Sequence, residues 1–274
     1  MNLDNALCVV TGAGSGIGRA TAAALAARGA RLVISDIDAA RLDAVAAELG
    51  PAVVLARRVD VGDREQVAAL AEACHAIQPG VDVLINNAGV GQSGGILDTP
   101  LADWDFTLRV NLMGVVYGCH YFVPAMVARG RGHVVNLSSM LGFYPTPRVI
   151  AYQASKFAVL GLTLSMRAEL AGTGVHATAI CPGMIDTAII ETGRFTETDG
   201  KLREAALRTF KKGWSPTRVA SAIVDAIGTR PAVRPVGPEA WAALGVVRLA
   251  PRFVADGLTR LAQKRIAKMR GQAG

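Results

Sequence analysis

Two side chains stand where acid–base chemistry needs them. Tyr152 and Lys156 are four residues apart in a stretch of helical pattern. They therefore project from one helix face, roughly 6 Å apart. A free phenol titrates at about 10 and is a poor base at neutral pH. A neighbouring ammonium favours the phenolate and lowers that pKa. A tyrosine tuned in this way gives a proton to a carbonyl oxygen or takes one from an alcohol. Alone, the pair also fits an ordinary surface contact, so its meaning depends on the residues around it.

The first of these is the run 11–18, Thr-Gly-Ala-Gly-Ser-Gly-Ile-Gly. It joins a continuous apolar stretch at 6–11 to an alanine-rich helix ending near Gly29. Glycines here permit positive-φ turns and let backbone N–H groups approach a pyrophosphate at the helix N-terminus. Gly12, Ser15, Gly16, Ile17 and Gly18 are the residues expected to meet a dinucleotide. A second apolar stretch, 31–36, ends at Asp36. That carboxylate can accept hydrogen bonds from ribose hydroxyls and would repel a 2′-phosphate. Neither position 15 nor position 37 carries Arg or Lys. The expected cofactor is therefore NAD rather than NADP; the alternative role for Asp36 is a helix N-cap.

These residues need a scaffold, and the first 180 residues alternate short apolar runs with helical patterns. Strands are expected at 6–11, 31–36, 52–58, 81–86, 133–137 and 175–181. Helices are expected after the glycine turn and at 38–49, 63–77, 104–128 and 150–171. The fold class is α/β, a doubly wound parallel sheet with helices on both faces. Residues 183–213 lack clear periodicity and follow a strand's carboxyl end, where open α/β sheets bind ligands, so they are a candidate substrate lid. Residues 215–227 read as a helix with Ser215 as N-cap, and 233–237 as a last strand.

In order along the chain stand Thr11-Gly12-x-x-x-Gly16-x-Gly18, Asn86-Asn87-Ala88-Gly89, Asn111, Ser138-Ser139, Tyr152-x-x-x-Lys156 and Pro182-Gly183. Their order and spacing resemble the short-chain dehydrogenase/reductase family, over residues 3 to about 227. The resemblance implies a single Rossmann-type domain with a parallel sheet of about seven strands. It implies hydride transfer between a nicotinamide cofactor and a carbonyl or alcohol carbon, with no metal. Tyr152 would be the general acid/base, and Lys156 would lower its pKa and bind the nicotinamide ribose. Ser139 would hold the substrate oxygen, with Ser138 the alternative. Asn111 would keep a water in a proton relay to Lys156, or would be a helix-kinking or core-satisfied amide. Asp60 and Val61 would meet the adenine. Asn87, with Ala88 and Gly89, would support the sheet and flank the cofactor. Pro182, Gly183, Ile185 and Thr187 would wall the nicotinamide. A catalytically silent nucleotide-binding interaction protein is the competing class, and the presence of Asn111, Ser139, Tyr152 and Lys156 together argues against it.

The substrate side reads as apolar: Met140, Leu141, Phe143, Tyr144, Met184, Ile189, Ile190, Phe195 and Trp214. A lipophilic secondary alcohol or ketone is the expected small-molecule substrate. His75, His120, His133 and His176 have no carboxylate or serine partner at motif spacing and read as bland.

Composition narrows the remaining classes. Of 274 residues, 51% are apolar and 19% charged, which excludes global disorder. Four dispersed cysteines without a paired motif disfavour a disulfide scaffold or a zinc site and suit a reducing cytosol. No consecutive apolar run has the ~18 residues of a membrane span, and residues 1–10 do not resemble a secretion signal. A cytoplasmic homo-oligomer, dimer or tetramer, is expected. The net charge of +7 is confined to the chain's end. Residues 1–229 hold 20 basic and 20 acidic side chains, whereas 230–274 hold 9 and 2. A neutral body with few aromatics is not the pattern of a nucleic-acid binder. Residues 1–237 are read as the catalytic domain and 238–274 as a helical, basic amphipathic extension. Its helix at 252–270 would lie on an anionic membrane surface, on its own domain or on a partner subunit.

Overall fold

The structure is a computed structural model. It describes residues 1–189, 191, 193–195, 200–249, 257, 260, 261 and 264, with the side chains of 200–202 left aside. In chain order the elements are β1 (Leu7–Thr11), α1 (Gly16–Ala26), β2 (Arg31–Asp36), α2 (Ala39–Leu49), β3 (Val53–Arg58), α3 (Arg64–Ile77) and β4 (Val83–Asn86). There follow β5 (Gln92–Ser93), α4 (Leu101–Leu108), α5 (Gly114–Ala128), β6 (Gly132–Leu137) and α6 (Ile150–Glu169). The last are β7 (Val175–Pro182), β8 (Arg194–Phe195), α7 (Gly200–Phe210), α8 (Pro216–Thr229), β9 (Val233–Val236) and α9 (Pro238–Leu249).

The main sheet has seven strands in the order β3-β2-β1-β4-β6-β7-β9, all parallel. Its central strands are apolar on both faces, as a sheet covered by helices on both sides requires. Alternation along β1 shows the two layers: Cys8 and Val10 pack with Leu25, Ile223 and Ile227 on one side, and Leu7 and Val9 with Leu70, Phe122 and Met126 on the other. The outer strand β3 is mostly exposed and ends in Arg57 and Arg58, charges that discourage edge-to-edge pairing. The connection from β1 leads outward to β2 and β3, while β4, β6, β7 and β9 lie on the other side. Strand order therefore reverses between β1 and β4, and a crevice opens there at the carboxyl ends.

Two features differ from the sequence reading, and a third concerns the segment after the last strand. The helix expected at 104–128 starts at Leu101 and contains one π-helical turn, Arg109–Met113, centred on Asn111. This helical run, Leu101–Ala128, is apolar enough by length and composition to cross a membrane, with mean hydropathy 1.3. Here it is a core helix: Val115, Phe122 and Met126 are buried against the sheet. The segment 183–213 is not irregular throughout but contains β8 and α7. Ala205, Ala206, Thr209 and Phe210 carry its helical spacing, obscured by the charges at 201, 203, 204 and 208. Thirdly, α9 is docked on the domain, with Ala240 buried and Ala243 and Leu244 packed beside Phe143, Ala179 and Cys181. The helix expected at 252–270, like Ile190, lies outside the described residues apart from positions 257, 260, 261 and 264.

At the opposite end from the crevice, Asp82 fastens the first strand. Its carboxylate accepts from Leu7 N (2.9 Å) and Gln78 Nε2 (3.0 Å) and pairs with Arg129 (2.5 Å) and Arg131 (2.9 Å). Burial alone would raise its pKa. The hydrogen bonds from Gln78 and Leu7 and the Arg129 guanidinium outweigh it and hold the carboxyl below the usual 3.8. A depressed folded pKa stabilises the protein above the unfolded value and is lost as pH falls through the folded one. Asp82→Asn is expected to cost about 1–3 kcal/mol at neutral pH. In urea titrations the gap to wild type should close below about pH 4.

Candidate active site

The crevice is built from the ends of four strands. Ser15, Gly16 and Ile17 line it from the β1–α1 turn, Asn87 and Gly89 from the β4 exit, Ser138 and Ser139 from the β6 exit, and Pro182, Gly183, Ile185 and Thr187 from the β7 exit. Tyr152 and Lys156 enter it from α6. Gly12, Gly18 and Ala88 sit immediately behind. Gly12 has φ +65°, and a Cβ on it would stand 2.8 Å from Ala88 Cα. A Cβ on Gly18 would stand 2.0 Å from the Gly12 carbonyl oxygen, so only glycine lets α1 start this close to the turn. Asn87 pins the turn to β4: its Nδ2 donates to Thr11 O (2.9 Å) and Gly12 O (3.1 Å). Asn86 ties β4 to β6 by donating to Asn136 Oδ1 (2.9 Å).

Asp36 reaches under the same turn. Its Oδ2 accepts from Gly14 N (2.8 Å) and its Oδ1 from Asp38 N (3.0 Å). The N-cap alternative falls to Asp38, whose side chain accepts from Arg41 N. Arg41 also lines the crevice and pairs with Asp38 at 3.1 Å. It escaped the sequence reading because it sits one helical turn inside α2 rather than at position 15 or 37. Asp60 and Val61 follow β3 outside the crevice lining. Asp60 accepts from Gly62 N (2.8 Å) and pairs with Arg109 (2.9 Å), and Val61 is buried against Gly114. The glycine cradle, the helix N-terminus pointing into it and the Asp36 carboxylate fit a dinucleotide without rearrangement.

Around Tyr152 and Lys156, desolvation is the dominant electrostatic force. Lys156 is buried and Tyr152 half-buried at the wall of the crevice, and Lys156 Nζ stands 5.6 Å from the centre of the Tyr152 ring. Burial pushes the phenol up to about 12, with a hydrogen bond to Ser139 opposing the rise. Burial pushes the ammonium down to about 8. In the chain without its cofactor, desolvation thus outweighs the expected lowering of the phenol by Lys156. Lys156 Nζ donates to Leu137 O at 2.8 Å.

The two serines separate cleanly. Ser138 Oγ donates to Lys156 O (2.8 Å), a buried bond that ties β6 to α6. Ser139 Oγ faces the crevice and Tyr152, and accepts from Leu141 N (3.1 Å) at the start of the 3-10 turn Met140–Gly142. Asn111 is fully buried. Its Oδ1 accepts from Val90 N (2.8 Å), and its Nδ2 donates to Val90 O (3.0 Å) and Ser155 Oγ (3.2 Å). Both amide donors are spent, so the side chain keeps at most one oxygen lone pair for a water.

A second cavity of about 440 Å³ opens beside the first. Ser139, Tyr152, Gly183, Ile189 and Phe210 line both. Its other walls are Met140, Leu141, Tyr144, Met184 and Phe195, as expected, with Gln92, Pro147, Val149, Ala205 and Ala206 added by the fold. Phe143 and Trp214 do not line it. Phe143 is buried under α9, and Trp214 turns to the surface, where Arg218 stacks on it. Arg148 pairs with Asp98 (2.6 Å) and Arg194 with Asp103 (2.8 Å). Glu239, at the start of α9, holds the β7 exit: its carboxylate accepts from Met184 N (2.8 Å) and Trp214 Nε1 (3.2 Å). No local motif could have revealed this contact across 55 residues.

The histidines stay away from the crevice. His133 lies at 2.9 Å from Thr178 Oγ1, and burial pushes it down to about 3. Among the described residues no group of three metal-ligating side chains is assembled.

A family model described as short chain dehydrogenase matches residues 6–197. The probable oxidoreductase EphD of Mycobacterium tuberculosis is 43% identical over 256 residues, covering 90% of this chain and 43% of the relative. The chain thus spans less than half the length of that relative. A galactitol 2-dehydrogenase (L-tagatose-forming) from Cereibacter sphaeroides is 44% identical over 187 residues, covering 68% of this chain and 73% of the relative. Among solved structures, a short chain dehydrogenase/reductase from Burkholderia phymatum in complex with NAD superposes with TM-score 0.85 at 33% identity, covering 91% of this chain and 94% of that one.

The serine geometry sets up a stability test. Ser138→Ala leaves the Lys156 carbonyl without its buried donor and is expected to cost about 1–3 kcal/mol in chemical denaturation. Ser139→Ala loses only a short-turn cap and should cost about 1 kcal/mol or less.

Proposed function

The chain belongs to the short chain dehydrogenase family, and from that premise we propose that it is an NAD-dependent oxidoreductase of lipophilic secondary alcohols and ketones. The observation that carries this reading is the junction of the two cavities. A polar crevice with a glycine cradle meets an apolar chamber at Ser139 and Tyr152, the point where a reacting carbon would face both.

Bound NAD supplies the hydride acceptor for an alcohol and, in reduced form, the donor for a ketone. The N-terminus of α1, with Gly12, Ser15, Gly16, Ile17 and Gly18, would cradle its pyrophosphate, and Asp36 its adenosine ribose. Asp60 and Val61 would meet the adenine; Asn87, Ala88 and Gly89 would flank the middle. Pro182, Gly183, Ile185 and Thr187 would wall the nicotinamide.

Ser139 Oγ holds the substrate oxygen. Tyr152 Oη takes the hydroxyl proton in oxidation and returns one to the carbonyl oxygen in reduction. Lys156 stabilises the phenolate as it forms and binds the nicotinamide ribose. Asn111 holds the Val90 backbone and Ser155 in place beside Gly89 and Lys156, and positions a water for proton exchange. Together these four argue for an enzyme rather than a silent binding module.

Arg41 supports a second cofactor reading, NADP, since a guanidinium at the wall of the crevice is a natural partner for a 2′-phosphate. Asp36 opposes it from the floor of the same turn. Cofactor titration is expected to show NAD preferred, and Asp36→Ala should move the preference toward NADP. Equal or better use of NADP by the wild type would select the second reading. The galactitol-oxidising relative favours a polar polyol as substrate; the apolar chamber favours a hydrophobic one. A substrate panel with NAD should rank hydrophobic secondary alcohols above short polyols. We extend the reading to a homo-oligomer, dimer or tetramer.

Tyr152→Phe is expected to abolish turnover while retaining NAD binding; retained turnover would remove Tyr152 from its role. Oxidation needs the phenolate, whose formation burial opposes at neutral pH. The oxidative kcat should therefore keep rising with pH from about 6 to 9, whereas the reductive kcat, which uses the protonated phenol, should stay level across that range.

A further inference from the structure

The helix that carries Tyr152 and Lys156 has no cap of its own. α6 begins at Ile150, and the N-cap position is Val149, whose side chain cannot accept a hydrogen bond. By contrast α2, α3 and α8 start at Asp38, Asp63 and Ser215, each of which caps its own helix. The first N–H groups of a helix have no intrahelical partner and must find acceptors elsewhere. Here they find them across the fold. Ile150 N donates to Gly94 O (3.2 Å), and both Ala151 N (3.2 Å) and Tyr152 N (3.4 Å) donate to Gln92 Oε1. Gln153 N then closes the first turn onto Val149 O at 2.8 Å.

We infer that Gln92 is a positioning residue for the reaction: its carboxamide, arriving from β5, caps α6 and fixes where Tyr152 stands. The inference rests on the reading of Tyr152 as the acid–base group. Gln92 is 3% exposed, so neither the cap nor its loss can be replaced by bulk water. The orientation of the amide is fixed at its other end, where Nε2 donates to Thr99 Oγ1 at 3.2 Å. The oxygen therefore faces the two backbone donors. The adjoining residues bind the same segment: Ser93 Oγ (3.1 Å) and Gly94 N (3.0 Å) both donate to Arg148 O. Because the Tyr152 N–H is itself one of the capped groups, movement of the helix end displaces the phenol directly. Gln92 also lines the apolar chamber, so cap and substrate share a wall.

The test uses the full chain with NAD and the fastest alcohol of the panel. Gln92→Leu keeps the bulk and removes the acceptor. A misplacement of the reacting group by a fraction of an ångström to 1 Å predicts a kcat loss of roughly ten- to a hundredfold, with the Kd for NAD within about twofold of wild type. Gln92→Glu restores the acceptor and adds a negative charge near the phenol. It should recover much of kcat at high pH, with the oxidative pH profile displaced upward because the charge opposes the phenolate. A merely structural role would lower Tm without either change. Wild-type kcat in Gln92→Leu overturns the inference, and so does an equal loss in both variants with no displaced profile. If Gln92→Leu fails to fold, Thr99→Val releases only the Nε2 anchor. It should lower kcat with the Kd for NAD unchanged, and an unchanged kcat overturns the inference. Tyr152→Phe in the same assay keeps the two readings apart. Turnover by Tyr152→Phe sinks the acid–base assignment, whereas an inactive Tyr152→Phe beside a fully active Gln92→Leu sinks the cap alone.

Discussion

Keeping a lysine buried and a tyrosine half-buried on one face of one helix is the constraint on which the site depends. Desolvation works against a charge on either group, so Lys156 is pushed down and Tyr152 up. Such burial is tolerated only where nearby dipoles substitute for solvent. Leu137 O takes the Lys156 ammonium, Ser139 meets the phenol, and Ser138 fastens the Lys156 backbone to β6. Three consecutive residues at the end of β6 thus hold the lysine ammonium, anchor the helix and line both cavities.

The remaining polar groups around the crevice obey the same accounting. Asn87 satisfies the carbonyls that the glycine turn leaves without partners, which lets α1 approach closely enough for its N-terminus to face the crevice. Asn111 sits in a π turn, where one extra residue swings its amide onto the Val90 backbone and Ser155. Glu239 closes the far side from α9 by binding the backbone of Met184 and the Trp214 indole. The segment after the last strand is thus joined to the wall of the crevice and does not begin as a free appendage.

Much of this was legible in the sequence because it is local. Both-face burial makes continuous apolar runs, so the strands and their parallel order could be read from residues 6–11, 31–36, 81–86 and 175–181. The glycine turn could be read because only glycine permits its geometry, and Tyr152 and Lys156 because four residues make one helical turn. What escaped has a common physical cause. Gln92 and Glu239 make their contacts across more than fifty residues of chain, and nothing in their neighbours' types announces such contacts. α7 escaped because its apolar positions are few and charges dominate its first half. Trp214 and Phe143 were misplaced for the converse reason: apolar character says that a side chain seeks cover, not which cover it finds.

The sequence by itself determined the doubly wound sheet, the glycine cradle and the helical Tyr–Lys pair, since each follows from periodicity or backbone conformation within a few residues. It also located the whole net charge of the chain in the residues after 229. Only the tertiary structure decided which serine lines both cavities, that α6 is capped from a distant strand, and which way burial moves the phenol and the ammonium. Those outcomes depend on distances between segments far apart in the chain and on how much water is excluded when they meet, quantities that the fold creates and the residue order does not contain.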